Sequence, residues 1–475
     1  MRRILILTSV FFIVLTLSAC QLYTHDYKED VLEYAMIATT GSDLEILEQY
    51  PNLAYVDLRG STCYDEIINY SASHPDIKVR FSIALGQLHL NQDIEKITLV
   101  GKEATYESLL ENLKYFRFLN NVHWDQISIT KSQFDELVIA YPNINFTYTV
   151  SIGNDTYNTD TTVVNIWRLE SNDVQDALRS FAFLPKLSYV DLMNTSGESK
   201  LSVADAKAFM ETYPNITFDY SFKLFGQTVS STTKTLSFKN TKIGNNGLDQ
   251  LHNALAVMPD CTSVYLDNCG IADDVMAQFR NEHPNVNIAW RIFVDKYSVM
   301  SDAEVILMRN TVTNSEAAPL KYCTNVKYLD MSGCKINDFS FLVNMPNLEC
   351  VVLQQTYISD LSVLQTCNNL TWLDLTNCTS LKDVTPLSGI KNLKYLNLSA
   401  TKVKELSPLN TVSLERFKCA KMTFSPSELN EFKAKHPGCL TTSTGNIVGL
   451  GWRYNDANQR EPFEYYAKMC EIFGY

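Results

Sequence analysis

From Val326 onward the apolar positions recur in a fixed arrangement. The segments VKYLDMSGCKI, LECVVLQQTYI, LTWLDLTNCTSL, LKYLNLSATKV and LERFKCAKM open at Val326, Leu348, Leu370, Leu393 and Leu414, in steps of 22, 22, 23 and 21 residues. Each begins with a short alternation of apolar and polar residues, which predicts a strand whose successive side chains face opposite ways. Upstream runs a longer cycle. Leu53, Val122, Leu187, Cys261 and Val326 open equivalent strands, 69, 65, 74 and 65 residues apart, as in LAYVDL, LSYVDL and VKYLDM. A helix follows in each long unit, with Phe134, Leu137, Val138 and Tyr141, or Ala206, Phe209, Met210 and Tyr213, at the i, i+3, i+4, i+7 spacing of one buried face. Pro just beyond stops the helix, and HPDIKVRFSI, YPNINFTYTV, YPNITFDYSF or HPNVNIAWRI then alternates as a half-buried strand. A further short strand (IEKITLV, VVNIWRL, TKTLSFK or EVILMRN) leads into another helical segment.

The first four short segments fit L-x-x-L-x-L-x-x-[N/C/T]-x-L and the fifth fits loosely, so this part resembles the leucine-rich repeat, in the short internalin-like form found on Gram-positive surfaces. The resemblance implies an α/β leucine-rich repeat solenoid: a curved parallel sheet with helices and turns on the convex side and extra strands inserted in the N-terminal long units. The expected organisation is four long units of about 70 residues over 34–322, the short array over 323–424, and a C-terminal cap over 425–475. In the cap, SELNEFKAKHPGC repeats the helix and Pro turn of the long units. The stretch from Pro462 to Tyr475 sets Phe463, Tyr466, Cys470 and Phe473 on one helical face, as a lid would.

Strand alternation sends Leu370, Leu373 and Leu375 inward and Trp372, Asp374 and Thr376 outward, onto the face that is concave in this repeat family. One outward column reads Tyr55, Trp124, Tyr189, Ser263, Tyr328, Cys350, Trp372, Tyr395, Arg416; the next reads Asp57, Gln126, Asp191, Tyr265, Asp330, Val352, Asp374, Asn397, Lys418. Aromatic side chains beside carboxylates suit recognition, since the rings offer area and stacking while the carboxylates accept hydrogen bonds or pair with cations. Tyr328, Asp330, Trp372, Asp374, Tyr395 and Asn397 are therefore the candidate ligand-binding residues, for a protein or a glycan. The same residue types also stabilise sheets by cross-strand contact, so a scaffold role remains open.

The N-terminus adds an address. Arg2 and Arg3 precede an apolar run from Ile4 to Leu17, too short to span a bilayer, and Ser18, Ala19 and Cys20 follow. LSAC resembles the lipobox of bacterial lipoproteins, which implies a signal peptide over 1–19, diacylglycerol on the Cys20 thiol, and a lipidated tether over 20–33. The expected location is the extracytoplasmic face of a bacterial membrane, with a tether reaching at most about 40 Å. Losing Arg2 and Arg3 with the leader takes the formal charge from −13 to −15. Such a body repels nucleic acid and favours basic or neutral partners.

Catalytic patterns fail in turn. Cys269, Cys334 and Cys378 share the N/C position of the motif, and Cys323 and Cys367 share another; pairs within the short array lie two coils apart, near 10 Å, beyond reach of a disulfide, so buried free thiols are expected. His74, His283 and His436 stand where Tyr141 and Tyr213 stand in sister units, which marks a packing position. The S-x-x-K matches at Ser332 to Lys335 and Ser399 to Lys402 fall at one repeat position without a K-T-G companion. No catalytic, metal or cofactor residues are assigned. The expected function is non-enzymatic binding; a structural envelope scaffold is the alternative, and an enzyme a distant third.

Overall fold

The computed structural model describes residues 5–6, 27–456 and 458–475, in two compact units, 1–222 and 223–475. Cys20, and the expected leader apart from residues 5–6, lie outside the described residues.

In the first unit the chain stacks parallel rungs. Glu33–Ala35, Tyr55–Asp57 and Lys78–Arg80 are consecutive; so are Lys96–Val100, Asn121–Asp125 and Asn145–Tyr148, and then Val163–Asn165, Tyr189–Asp191 and Thr217–Asp219. The expected extra strands take the form of antiparallel hairpins between these ladders, Ser82–Leu85 with Leu88–Asn91 and Val150–Ile152 with Asp155–Tyr157. The long alternating run thus serves twice, first as a parallel rung and then as the first arm of a hairpin. Gly86 turns the first hairpin at φ 65°, and a Cβ there would lie 2.6 Å from the Glu103 carbonyl oxygen, so only glycine fits both backbone and space.

The second unit opens with Thr235–Lys239, Ser263–Asp267 and Asn287–Val294 in parallel, the last folding back onto Tyr297–Met300. A seven-stranded parallel sheet follows: Val305–Leu307, Tyr328–Asp330, Cys350–Val352, Trp372–Asp374, Tyr395–Asn397, Arg416–Lys418 and Leu440–Thr442, in chain order. Opposite the strands from Tyr328 to Arg416 the connections are 3-10 turns, such as Ser340–Asn344, Thr385–Gly389 and Ser407–Thr411. Leu329, Val351, Leu373, Leu396 and Phe417 stack in register on the interior side, each fully buried. Parallel rungs joined by short helical returns around a ladder of aliphatic residues make this an α/β leucine-rich repeat solenoid.

Each short coil leaves its strand through one left-handed residue. Asn310, Gly333, Gln355, Asn377, Ala400 and Lys421 occupy this corner with φ between 57° and 73°. Asn and Gly are at ease there; Ala400 is not.

Five ten-residue helices end two residues before a proline, with one C-cap residue between: Tyr64–Ser73, Lys131–Ala140, Val203–Thr212, Asp273–Glu282 and Pro426–Lys435. The ring at the C-cap then reaches back toward the preceding turn of chain. Tyr141 and Tyr213 donate to the carbonyls of Leu110 and Leu178, His436 Nε2 lies 3.1 Å from the Val412 carbonyl, and His283 Nε2 lies 3.1 Å from His252 Nδ1. Tyr and His alternate at this site because both place a polar tip at the end of a flat ring.

All eleven cysteines among the described residues are free. The thiols at the N/C position serve the backbone, Cys269 donating to Phe238, Cys334 to Met308 and Cys378 to Leu353 carbonyls at 3.4, 3.2 and 3.0 Å. Ser332 and Ser399 are likewise structural: the Ser332 hydroxyl donates to Asp330, and the buried Ser399 hydroxyl accepts from the Ala420 amide at 3.0 Å.

One outward assignment is corrected. Trp124 points inward, 1% exposed, with its indole nitrogen donating to the Gly101 carbonyl at 2.9 Å; Gln126 lies beyond the strand in a left-handed turn. Leu119, Val122 and Trp124 are the buried series of this rung, so the repeat opens at Leu119. Counting from Val122 displaces the pattern, and Asn121 and His123 take the outward sites that Tyr55 and Asp57 hold in their rung.

Candidate functional site: the covered face of the short array

The sheet register brings the candidate residues together. Tyr328, Cys350, Trp372, Tyr395 and Arg416 are successive cross-strand partners, and so are Asp330, Val352, Asp374, Asn397 and Lys418. Both columns lie on the face away from the leucine ladder, as alternation requires.

The face is not open. Cys350, Trp372, Asp330, Asp374, Asn397 and Lys418 are each at most 1% exposed, because residues 443–475 lie across them. The expectation of a solvent-facing surface is therefore corrected. A second apolar cluster forms outside the solenoid core, from Cys350, Val352 and Trp372 on the sheet and Trp452, Met469 and Phe473 on the covering segment. Trp372 is its centre, with the Trp452 ring 4.0 Å away and the Tyr465 ring stacked at 5.4 Å and 6°. Aromatic pairs of this kind add about 0.5–1.5 kcal/mol each beyond simple burial.

The terminal helix expected near Pro462 runs over Glu464–Phe473. It lies on the strand face, while helix Pro426–Lys435 and strand Leu440–Thr442 add the next rung at the end of the array. Its buried side is set by Met469 and Phe473, with Cys470 only partly covered. Met469 meets Cys350, whose thiol approaches the thioether sulfur at 2.9 Å.

Polar groups of the face are matched one by one. Asp374 accepts from the Thr376 amide (3.0 Å) and hydroxyl (2.6 Å), from Gln354 Nε2 (2.6 Å) and from the Trp452 indole nitrogen (2.7 Å). Burial drives its pKa above the usual carboxylate range, against the pull of these hydrogen bonds. Asp330 takes the Arg309 guanidinium and, at 2.9 Å, the hydroxyl of Tyr475, over whose ring Arg309 sits at 4.2 Å. Asn397 donates to the Ile447 carbonyl at 3.0 Å. Lys418 Nζ donates to the carbonyls of Thr444 (3.0 Å) and Leu450 (2.8 Å), and burial lowers its pKa. Arg416 lies 3.7 Å over Phe463 and donates to Asn455 Oδ1 at 2.6 Å. The phenols of Tyr328 and Tyr395 are held by Glu349 and Glu415, both at 2.9 Å.

Two buried donors lack a hydrogen-bond partner among the described residues, Trp372 Nε1 and Arg416 Nη1. An unmet buried donor costs about 1–3 kcal/mol. Both face the covering segment's side of the sheet, so the fit of that segment is incomplete.

The repeat pattern located both columns but missed Arg309, Gln354, Trp452 and Tyr475. Trp452 and Tyr475 belong to no repeat, and only their aromatic character marks them in the sequence.

No family model matches the chain, and no curated protein matches it. Among solved structures, an internalin from Listeria monocytogenes str. 4b F2365 is similar at 12% identity over 90% of this chain and 86% of that one, with TM-score 0.25. Internalin C2 from the same organism shares 18% identity over 47% and 80%, TM-score 0.24. A leucine-rich repeat protein from Leptospira interrogans shares 11% over 87% and 96%, TM-score 0.21. The register of its own parallel rungs gives the chain the fold of a leucine-rich repeat solenoid, with the outward face of the short array closed by residues 443–475.

Proposed function

We propose that this is a non-enzymatic recognition protein, anchored by lipid on Cys20 at the extracytoplasmic face of a bacterial membrane, that captures a ligand through the short array. Tyr328, Asp330, Trp372, Asp374, Tyr395 and Asn397 form the ligand face. One observation supports this most: the face already grips a length of polypeptide outside the sheet, through side chains that the repeat does not need for its own ladder. Arg416 and Lys418 extend the grip. The acidic body is suited to a neutral or basic partner and unsuited to nucleic acid.

Cross-linking on intact cells, followed by identification of the captured molecule and of the cross-linked residues, tests the reading. Recovery of one partner through residues 328–418 supports it; recovery of general envelope components through other surfaces favours the scaffold alternative, to which the closed face also lends support. Cys20→Ser is expected to release the protein from the membrane fraction, and retention there would remove the lipid anchor from the proposal.

A further inference from the structure

The covering segment reveals the chemistry that the face selects. We infer that the face from Tyr328 to Lys418 is a polypeptide-binding groove occupied in cis by residues 443–475, and that its partner in trans is an aromatic-bearing segment of another protein. This rests on the recognition reading above and narrows it from protein or glycan to protein.

The contacts argue for a peptide. Lys418 and Asn397 take three main-chain carbonyls, those of Thr444, Leu450 and Ile447. The two buried carboxylates take an indole N–H and a phenol O–H, from Trp452 and Tyr475. Between these polar ends, Cys350 and Val352 present an apolar floor filled by Met469 and Phe473. Such a floor offers nothing to sugar hydroxyls, whereas an amphipathic helix with aromatic and thioether side chains fills it.

The contacts also argue that the occupant is replaceable. Trp372 Nε1 and Arg416 Nη1 are sealed beneath the segment without an acceptor. A competing peptide that carries a carbonyl or carboxylate to these two positions makes every contact of the resident segment and two more. The preferred partner thus differs from residues 443–475 in having acceptors opposite Trp372 and Arg416.

The test uses the full chain and a labelled synthetic peptide of sequence 443–475. Trp452→Ala removes the ring against Trp372 and the donor to Asp374, so it loosens the resident segment. The peptide is expected to bind this variant at least tenfold more tightly than the wild type, and Trp372→Ala added to it is expected to abolish binding. Equal, weak binding to wild type and variant overturns the groove. Should Trp452→Ala fail to fold, hydrogen exchange on the wild-type chain decides. Amides of Glu464–Phe473 exchanging well before those of Trp372–Asp374 support an occupant that leaves by itself, and exchange of both only together overturns it. A glycan array that engages the loosened variant while the peptide does not overturns the peptide assignment yet leaves the recognition reading standing. Wild-type dimers at high concentration joined through the same groove would replace the foreign partner with a second copy of this chain.

Discussion

The indole nitrogen of Trp452 donates to the carboxylate of Asp374 at 2.7 Å, joining positions 78 residues apart in a site closed to solvent. Trp452→Phe keeps most of the ring and deletes the donor, which leaves a buried carboxylate one hydrogen bond short. A loss of about 1.5–3 kcal/mol is expected in urea unfolding. The partner change Asp374→Ala in the same background should cost less than it does alone, and strict additivity would show that the pair is not coupled.

Ala400 holds a left-handed backbone at φ 59°, a corner that Asn310, Gly333 and Asn377 fill in equivalent coils. Ala400→Gly relieves that strain against the greater freedom glycine gives the unfolded chain. The expected net gain is about 0.5–1 kcal/mol, read as a higher urea midpoint with unchanged slope. Gly333→Ala, at the equivalent corner three coils before Ala400, should move the other way, because its Cβ would lie 2.3 Å from Asn310 Oδ1.

Lys418 is fully buried, and its ammonium group bonds two carbonyls of the covering segment. Lys418→Met retains the stem and strips both bonds. Removing a desolvated charge offsets part of the loss, so the net cost is expected near 1–2 kcal/mol. The informative readout is local: amides around Thr444 and Leu450 should exchange faster while those of the Leu373 ladder do not.

Burial pushes the thiols of Cys323 and Cys419 up to about 12 and those of Cys367 and Cys378 up to about 11, against 9.0 for the free group. A thiol whose pKa is raised in the fold keeps its proton after the unfolded chain has lost its own. Its contribution is complete below pH 9 and declines as pH rises toward 11 to 12. Stability of the reduced protein should therefore fall on going from pH 8 to pH 10, and Cys→Ser at these four positions should flatten the slope. An equally steep slope in the serine variant would assign the alkaline loss to other groups.

The 22-residue spacing made the short array legible to the residue: both columns from Tyr328 to Lys418 sit as alternation places them, since every coil repeats the same short strand. Pro after Tyr141, Tyr213 and His283 marked helix ends correctly, because the constraint is local. Trp124 was misplaced because Val122 and Leu119 are both plausible openings, and only packing tells which begins the buried series. The cover over Trp372 was beyond reach for a different reason. Residues 443–463 have no period to read, and their position depends on contacts such as Tyr475 with Asp330, 145 residues apart.

A stack of coils in which each touches only its neighbours is a spring that can shed turns from either end. The covering segment changes that mechanics. It is fastened to the second strand of the sheet at Asp330 and to the sixth at Lys418, and it touches strands between them through Cys350, Trp372 and Asn397. Stretching or fraying any one turn must strain a brace shared by five, so under load these turns give way together or hold together.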